Sequence, residues 1–171
     1  PAKVIGRWNN KQKNIELDAD MGEPGKYRTQ VNGYISPVQK GLDLHIKSQK
    51  TDIRFLNKYV TGIFKDLTGH TTGEIRLFGP FKKLDFIGDE IVDMNTEIEA
   101  TGVRYNISQG HLIVHPGHFD FDNITISDYL GHTGVVNGSL MHTHLKNLTY
   151  NFNVKAQNLL AYDKPKEQDM P

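Results

Sequence analysis

Residues 111–128 read HLIVHPGHFDFDNITISD, and the alternation of apolar and polar side chains in this stretch indicates the fold of the chain. Successive residues of a strand point to opposite faces of a sheet, so alternation is typical of strands that bury one face. Pro116-Gly117 predicts a tight turn within the stretch. Two antiparallel strands follow from this pattern. Their predicted apolar side chains are Leu112, Val114, Phe119 and Phe121.

The same alternation extends along most of the chain, from Ile15 to Val154. It predicts roughly a dozen short strands. The connections between them are short, and short connections join neighbouring strands in antiparallel pairs. The predicted turns are at Pro24-Gly25, Ser36-Pro37, Gly79-Pro80, Gln109-Gly110, Pro116-Gly117 and Asn137-Gly138.

One segment departs from the alternation and predicts a short amphipathic helix over residues 53–66. Its apolar residues recur at spacings of three and four, which places them on one face of a helix. Gly69 stands where a helix C-cap is expected. Such a helix in a sheet protein covers an open face or plugs one end of the sheet. The apolar residues are Ile53, Leu56, Val60, Ile63 and Leu67.

Several histidines raise the question of a metal site, and their spacing predicts none. His111 and His115 lie about 13 Å apart on a flat strand at roughly 3.3 Å per residue, whereas a zinc ligand atom lies about 2 Å from its ion. His118 folds back through the next turn but still needs a ligand from elsewhere. His142 and His144 share a strand face without a carboxylate or a third imidazole. We therefore expect His111, His115 and His118 to be polar side chains on a solvated strand face, and no metal at His142 and His144.

The acidic residues of the same stretch also have structural interpretations. Asp120 and Asp122 alternate with phenylalanines, so they are expected on the solvated face. They do not form an EF-hand, because no glycine or later glutamate completes the loop. Asp128 and Gly131 stand at the first and fourth positions of a four-residue segment, which suits a type I turn.

Composition bounds the class of protein. The chain has 171 residues, equal numbers of basic and acidic side chains and no cysteine. This length predicts a single domain over 1–171, and the balanced charge does not favour a nucleic-acid partner. The sequence lacks the nucleophile elbow, the phosphate-binding loop and the dinucleotide fingerprint. We therefore expect neither an enzyme nor a cofactor, and the start at Pro1 suggests a piece of a larger protein.

The sequence leaves two architectures open for burying the apolar face. Two sheets can pack together as a closed sandwich, or one sheet can curl and leave a hydrophobic groove. Four Asn-x-Ser/Thr sequons, at Asn106, Asn123, Asn137 and Asn147, are typical of a secreted glycosylated module, which would adopt the first architecture. That alternative is a secreted β-sandwich module that binds glycans or a protein.

A series of short motifs follows in order along residues 53–163. They are the predicted helix with Gly69, Thr72-Gly73 with Leu77 and Gly79, Gly88, TGVRY at 101–105, TISD at 125–128 with Gly131, Gly138 with Leu140 and His142, and AQNLL at 156–160. In this order and spacing the chain resembles the C-terminal conserved region of the TamB family. TamB is the inner-membrane-anchored subunit of the translocation and assembly module and is related to AsmA-like bridge proteins. Residues 1–52 add repetitive strands, and residues 71–163 are the TamB-like strands.

The resemblance implies a specific fold and function. The fold would be an all-β, curled antiparallel sheet, a half-barrel or taco-like shape, with an apolar concave face. The protein would be a non-enzymatic bridge in the periplasm of a Gram-negative envelope. Its cargo would be phospholipid acyl chains moving to the outer membrane or nascent outer-membrane β-strands. Its partner would be the outer-membrane barrel of the module.

The groove-lining residues are predicted by strand parity alone. An open apolar groove would hold apolar chains, and no metal site is predicted in it. The candidates are Leu84, Phe86, Val92, Met94, Ile98, Leu112, Val114, Phe119, Phe121, Leu140, Phe152 and Val154.

Overall fold

A computed structural model describes residues 1–161 as one ten-stranded antiparallel sheet that is not closed. Strand order equals chain order, so each strand pairs with its neighbours in sequence. This confirms the all-β antiparallel prediction. The end of the predicted 71–163 segment, with the rest of the chain to residue 171, lies outside the described residues. The strands are β1 (Ala2–Asn9), β2 (Asn14–Glu23), β3 (Tyr27–Ser36), β4 (Gly41–Asp52), β5 (Phe64–Pro80), β6 (Asp85–Ile98), β7 (Val103–His115), β8 (His118–Ser127), β9 (Thr133–Thr143) and β10 (Lys146–Ala156).

The strands are fewer and longer than the turn signals predict. Gln109-Gly110 lies inside β7, and Asn137-Gly138 lies inside β9, so neither forms a turn. Gln109 has a positive φ of 54°, and its backbone N–H and side-chain amide both donate to Asp93 on β6. These bonds hold a kinked backbone within the ladder. Turn-forming residues therefore also serve as irregularities inside long strands.

The predicted helix over residues 53–66 is wrong. A 3-10 helix covers only Arg54–Lys58, and β5 begins at Phe64. Phe64 pairs with Ile98 and Lys65 with Glu97 on β6, so the last residues of the segment gain ladder hydrogen bonds. The side chain of Asn57 donates to Leu67 O and accepts from Leu67 N, both at 2.8 Å, which replaces a strand partner. Backbone pairing with β6 thus outweighs a weak helical propensity.

Gly69 is not a helix cap but part of β5, opposite Met94. A Cβ on Gly69 would lie 2.0 Å from the carbonyl oxygen of Asp93 on β6. The residue must therefore be glycine for the two backbones to approach at this point.

The register places most apolar side chains of all ten strands on one face, here called the apolar face. Val4 lies opposite Ala19, which lies opposite Val31. The same chain of pairs continues through Ile46 and Ile75 to β6 and onward to β10. The opposite face, here called the polar face, carries ion pairs such as Arg76 with Asp43 at 2.7 Å. The alternation predicted from sequence is thus confirmed.

Across the described residues, 1–161, five register shifts interrupt this regular pairing. In each case one strand contributes an extra residue, as in a β-bulge. Each shift includes a non-glycine residue with positive φ, which locally bends and twists the strand. These residues are Lys50, Asp66, Gln109, Asn123 and Asn147.

Candidate functional site

The apolar face contains eleven of the twelve predicted lining residues. On β6 and β7, Met94 lies opposite Ile107 and Val114 lies opposite Gly88. Leu84 is the exception, because it lies in the turn before β6. The others reach the same face through successive register pairs: Phe86, Val92, Ile98, Leu112, Phe119, Phe121, Leu140, Phe152 and Val154.

On the apolar face, aromatic rings from two strands meet above the strand that lies between them. Phe86 on β6 and Phe119 on β8 approach to 6.2 Å between ring centroids. Phe121 on β8 and Phe152 on β10 meet edge to face at 5.2 Å. The two rings of this second pair belong to strands on either side of Gly138 on β9. Glycine on the middle strand leaves room for the rings to touch above it.

Burial on this face is deep in the second half of the sheet and slight at β1. Val103 and Val114 are 0% and 1% exposed, whereas Val4 is 62% exposed. A tighter group of Ile107, Ile124 and Ile126 packs with side chains that include Leu159. Within residues 1–161 no second sheet covers these side chains.

The segment after β10 folds back onto one end of the apolar face. Tyr105 on β7 donates its hydroxyl to the carbonyl oxygen of Leu160 at 2.5 Å, and Leu160 donates its N–H to Asp128 at 2.9 Å. These bonds place Leu159 against the isoleucine group. The segment therefore covers the face where β8 turns into β9.

Asp128 has a larger role than the sequence predicts. The i to i+3 hydrogen bond from Gly131 N to Asp128 O confirms the predicted turn. The buried carboxylate of Asp128 also accepts hydrogen bonds from the backbone N–H groups of Leu130, His132 and Leu160. Burial alone would raise the pKa of this carboxyl, but the backbone donors outweigh it and lower the pKa. No local signal could reveal the partner 32 residues away.

Glu90 is a carboxylic acid within the apolar face, opposite Gly73 and Leu112. It is 3% exposed; one carboxyl oxygen accepts from the Thr71 hydroxyl at 2.6 Å, and the other has no partner. Burial raises the pKa of Glu90, while the Thr71 hydrogen bond partly opposes this. Glu90 stands two residues before Val92 on β6, so strand alternation in the sequence already indicates that the two side chains share the apolar face.

Replacing Glu90 with glutamine is expected to stabilise the protein at neutral pH. The folded carboxyl holds its proton to higher pH than the unfolded one, so wild-type stability falls as pH rises above the ordinary value of 4.5. A neutral amide would remove this fall and stabilise the fold by about 1 to 3 kcal/mol near pH 7. Urea unfolding between pH 4.5 and 8 measures the difference. Glu74→Gln on the polar face is the control, and parallel pH profiles for wild type and Glu90→Gln would contradict the expectation.

His142, which the sequence leaves as a strand residue near Gly138, is buried on the apolar face. Its ring centroid lies 5.3 Å from that of Phe119. Its Nδ1 accepts the N–H of Leu145, so the proton of the neutral ring is on Nε2. That atom lies 3.9 Å from Asp85 Oδ1. Burial lowers the pKa of His142, and the Asp85 carboxylate only partly opposes this.

The prediction of solvated histidines holds for His111, which is exposed and pairs with Asp89 on the polar face at 2.6 Å. His115 also lies on that face, because it follows Val114 of the apolar face. His118 is its register partner across the turn between β7 and β8 and therefore shares the polar face.

Comparison with known proteins yields no relative: no family model, no curated protein and no solved structure matches the chain. The resemblance to the TamB family therefore stays a prediction from sequence motifs. Among the described residues, no helix has the length and apolar character needed to span a membrane.

Proposed function

We propose that the apolar face is a groove that binds phospholipid acyl chains during transfer across a cell envelope. The observation that carries the proposal is the continuous apolar register across ten strands, uncovered by a second sheet within residues 1–161. Isolated soluble proteins rarely leave large apolar patches without a ligand or partner. The proposed setting, from the resemblance to the TamB family, is the periplasm of a Gram-negative cell.

Curvature of the sheet would make the apolar face concave, and three observations support it. Val103 and Val114 are almost fully buried in a single layer, which requires neighbouring side chains to close over them. Five β-bulges bend the strands. Residues 59–63 and 145–150 border one depression, although β5 and β10 would lie about 24 Å apart in a flat sheet at ~4.8 Å per strand.

The proposed mechanism is passive and needs no catalytic residue. Each methylene group that leaves water for an apolar groove gains about 0.8 kcal/mol. A face without strong polar sites along its length would let an acyl chain slide, while the lipid headgroup stays in water at the open side. Glu90 and His142 are buried polar side chains within this face. Burial raises the pKa of Glu90 and lowers the pKa of His142, which favours the neutral form of both.

The alternative of a closed β-sandwich receives no support from the described sheet. A sandwich needs two sheets packed face to face, and residues 1–161 form one. Among these residues, the exposed aromatic rings outside the strands are spread over three different connections of the sheet: Phe55, Tyr59, Phe81 and Tyr129. Trp8 lies within the edge strand β1, and Tyr129 is one exposed ring in the turn before β9.

The free sheet edges favour strand pairing as a second candidate function. Within residues 1–161, β1 pairs only with β2 and β10 pairs only with β9, so each leaves one row of backbone groups unpaired there. Such edges accept an added strand through backbone hydrogen bonds. A nascent outer-membrane β-strand or the barrel partner of the module would fit this chemistry, and edge pairing is compatible with lipid in the groove.

The first test is native mass spectrometry of the purified protein after incubation with phospholipid vesicles. We expect protein masses with one or more added phospholipids, identified by solvent extraction. Leu112→Asp and Met94→Asp place a charge on the apolar face and should each abolish lipid uptake and transport in cells. Ile87→Asp places the same charge on the polar face and should leave uptake unchanged.

Circular dichroism first establishes which variants fold. The wild-type measurement decides the proposal even if both groove variants unfold. A lipid-free mass with no uptake from vesicles would contradict the groove and favour strand pairing. Equal uptake by wild type and a folded Leu112→Asp variant would also contradict it.

A further inference from the structure

A separate cluster of side chains lies on the polar face, at the turn between β7 and β8. His115 and His118 are register partners on either side of Pro116-Gly117, and their rings stack with centroids 4.6 Å apart. Asp120 stands two residues after His118, so its side chain projects from the same face. The turn therefore brings together two imidazoles and one carboxylate.

The spacing of these groups fits a bound metal ion. Asp120 Oδ2 lies 3.2 Å from His115 Nε2 and 3.6 Å from His118 Nε2. The three ligand atoms all lie within 4.8 Å of one another. A tetrahedral ion with bonds of ~2.1 Å holds its ligand atoms ~3.4 Å apart. Small side-chain rotations would therefore close the three groups around one ion.

A hydrogen bond from the next strand orients the carboxylate. Ser139 on β9 donates its hydroxyl to Asp120 Oδ1 at 2.8 Å. This leaves Oδ2 directed at the two histidines. Metal-ligating carboxylates usually have such an outer partner, which holds the ligand in its binding orientation.

Ion pairing alone explains the cluster less well. Both imidazoles approach the same carboxylate oxygen, so a full double ion pair would need two positive rings stacked at 4.6 Å. Like charges at that distance oppose one another. One divalent ion between the three groups would satisfy the carboxylate while both rings stay neutral.

We propose that His115, His118 and Asp120 form a binding site for a divalent transition-metal ion of the zinc type. Two imidazole nitrogens and one carboxylate oxygen are typical zinc ligands, and all three side chains are partly exposed, so water can complete the coordination. Calcium and magnesium are disfavoured because they prefer oxygen ligands. A bound ion would join β7 to β8 and, through Ser139, to β9. This inference is independent of the lipid proposal.

The nearby Asp85, His142 and His144 do not belong to the site. His142 Nδ1 accepts a backbone N–H, so Nε2 carries the proton of the neutral ring and has no lone pair for an ion. His144 Nδ1 lies 3.9 Å from Asp85, and within the described part of the chain no third ligand joins them. The metal would therefore select the triad on the polar face.

Zinc titration of the tag-free, chelator-treated protein tests the proposal. We expect calorimetry to show one Zn²⁺ per chain and a higher midpoint of thermal unfolding with zinc. His115→Gln, His118→Gln and Asp120→Asn should each raise the Kd by more than about tenfold. The control is His111→Gln. His111 is an exposed histidine on the same face that pairs with Asp89 instead, and the Kd of this variant should stay within about twofold of wild type.

Long-range ¹H–¹⁵N NMR of the histidine rings provides a readout that needs no variant. On zinc addition, the Nε2 resonances of His115 and His118 should shift, while those of His111 and His142 stay in place. Absence of saturable one-to-one binding would overturn the proposal. So would an equal loss of affinity in His111→Gln, or zinc-induced shifts confined to histidines outside the triad.

Discussion

Replacing Val114 with Asp is expected to unfold the protein, with a loss of at least about 4 kcal/mol in the free energy of unfolding. Val114 is 1% exposed on β7, between Gly88 on β6 and Phe119 on β8. A carboxylate there would lose its water and find no cationic partner in an apolar surrounding. Urea unfolding followed by circular dichroism measures the effect.

Val4→Asp is the matched control for this change. Val4 lies on the same face of the sheet but is 62% exposed on the edge strand β1. The same substitution should cost no more than about 1 kcal/mol there, because the carboxylate stays in water. A loss at Val114 as small as the loss at Val4 would show that Val114 is not enclosed, and it would contradict a curled sheet.

Replacing Gly138 with Val is expected to cost about 3 to 5 kcal/mol, because it combines a steric clash with backbone strain. A Cβ at this position would lie 2.1 Å from Asn151 O and 2.8 Å from Phe152 Cα on β10. Its φ of 150° is also one that a β-branched residue rarely adopts. The substitution should separate β10 from β9 and disrupt the contact between Phe121 and Phe152.

Gly131→Ala separates strain from clash. Gly131 has a φ of 83°, but nothing lies within 4 Å of the position that its Cβ would occupy. We expect a loss of only about 1 to 2 kcal/mol. Hydrogen exchange of β10 amides should increase in Gly138→Val and not in Gly131→Ala. Normal protection of β10 in a folded Gly138→Val protein would contradict this account of the glycine.

Much of the candidate site could be predicted from local sequence. The faces of Leu112, Val114, Phe119 and Phe121 follow from alternation, because side-chain direction has a period of two within each strand. The sequence also contains a signal for the bulge in β7, a change in the parity of its apolar residues. Apolar residues occupy odd positions up to Ile107 and even positions from Leu112, and only an extra residue within β7 keeps both on one face.

Other features had no local signal. The segment over residues 53–66 carries a helical spacing of apolar residues, yet its last residues pair with β6, because a strand of the growing sheet is stabilised by a neighbour that the local sequence does not contain. His118 and Asp120 meet His115 only after a two-residue turn reverses the chain. The buried carboxylate of Asp128 depends on a backbone donor beyond β10.

Sequence alone therefore determines the strand class, the antiparallel order and most residues of the apolar face, because these depend on side-chain period and turn length. Tertiary structure decides which irregular residues become bulges instead of turns, which side chains of the face are buried, and which polar groups converge. Those outcomes depend on pairing between strands, where Gly138 lies beneath two rings and Ser139 reaches Asp120. The free energy of these contacts depends on side chains from two strands, so it cannot be read from the sequence of either strand alone.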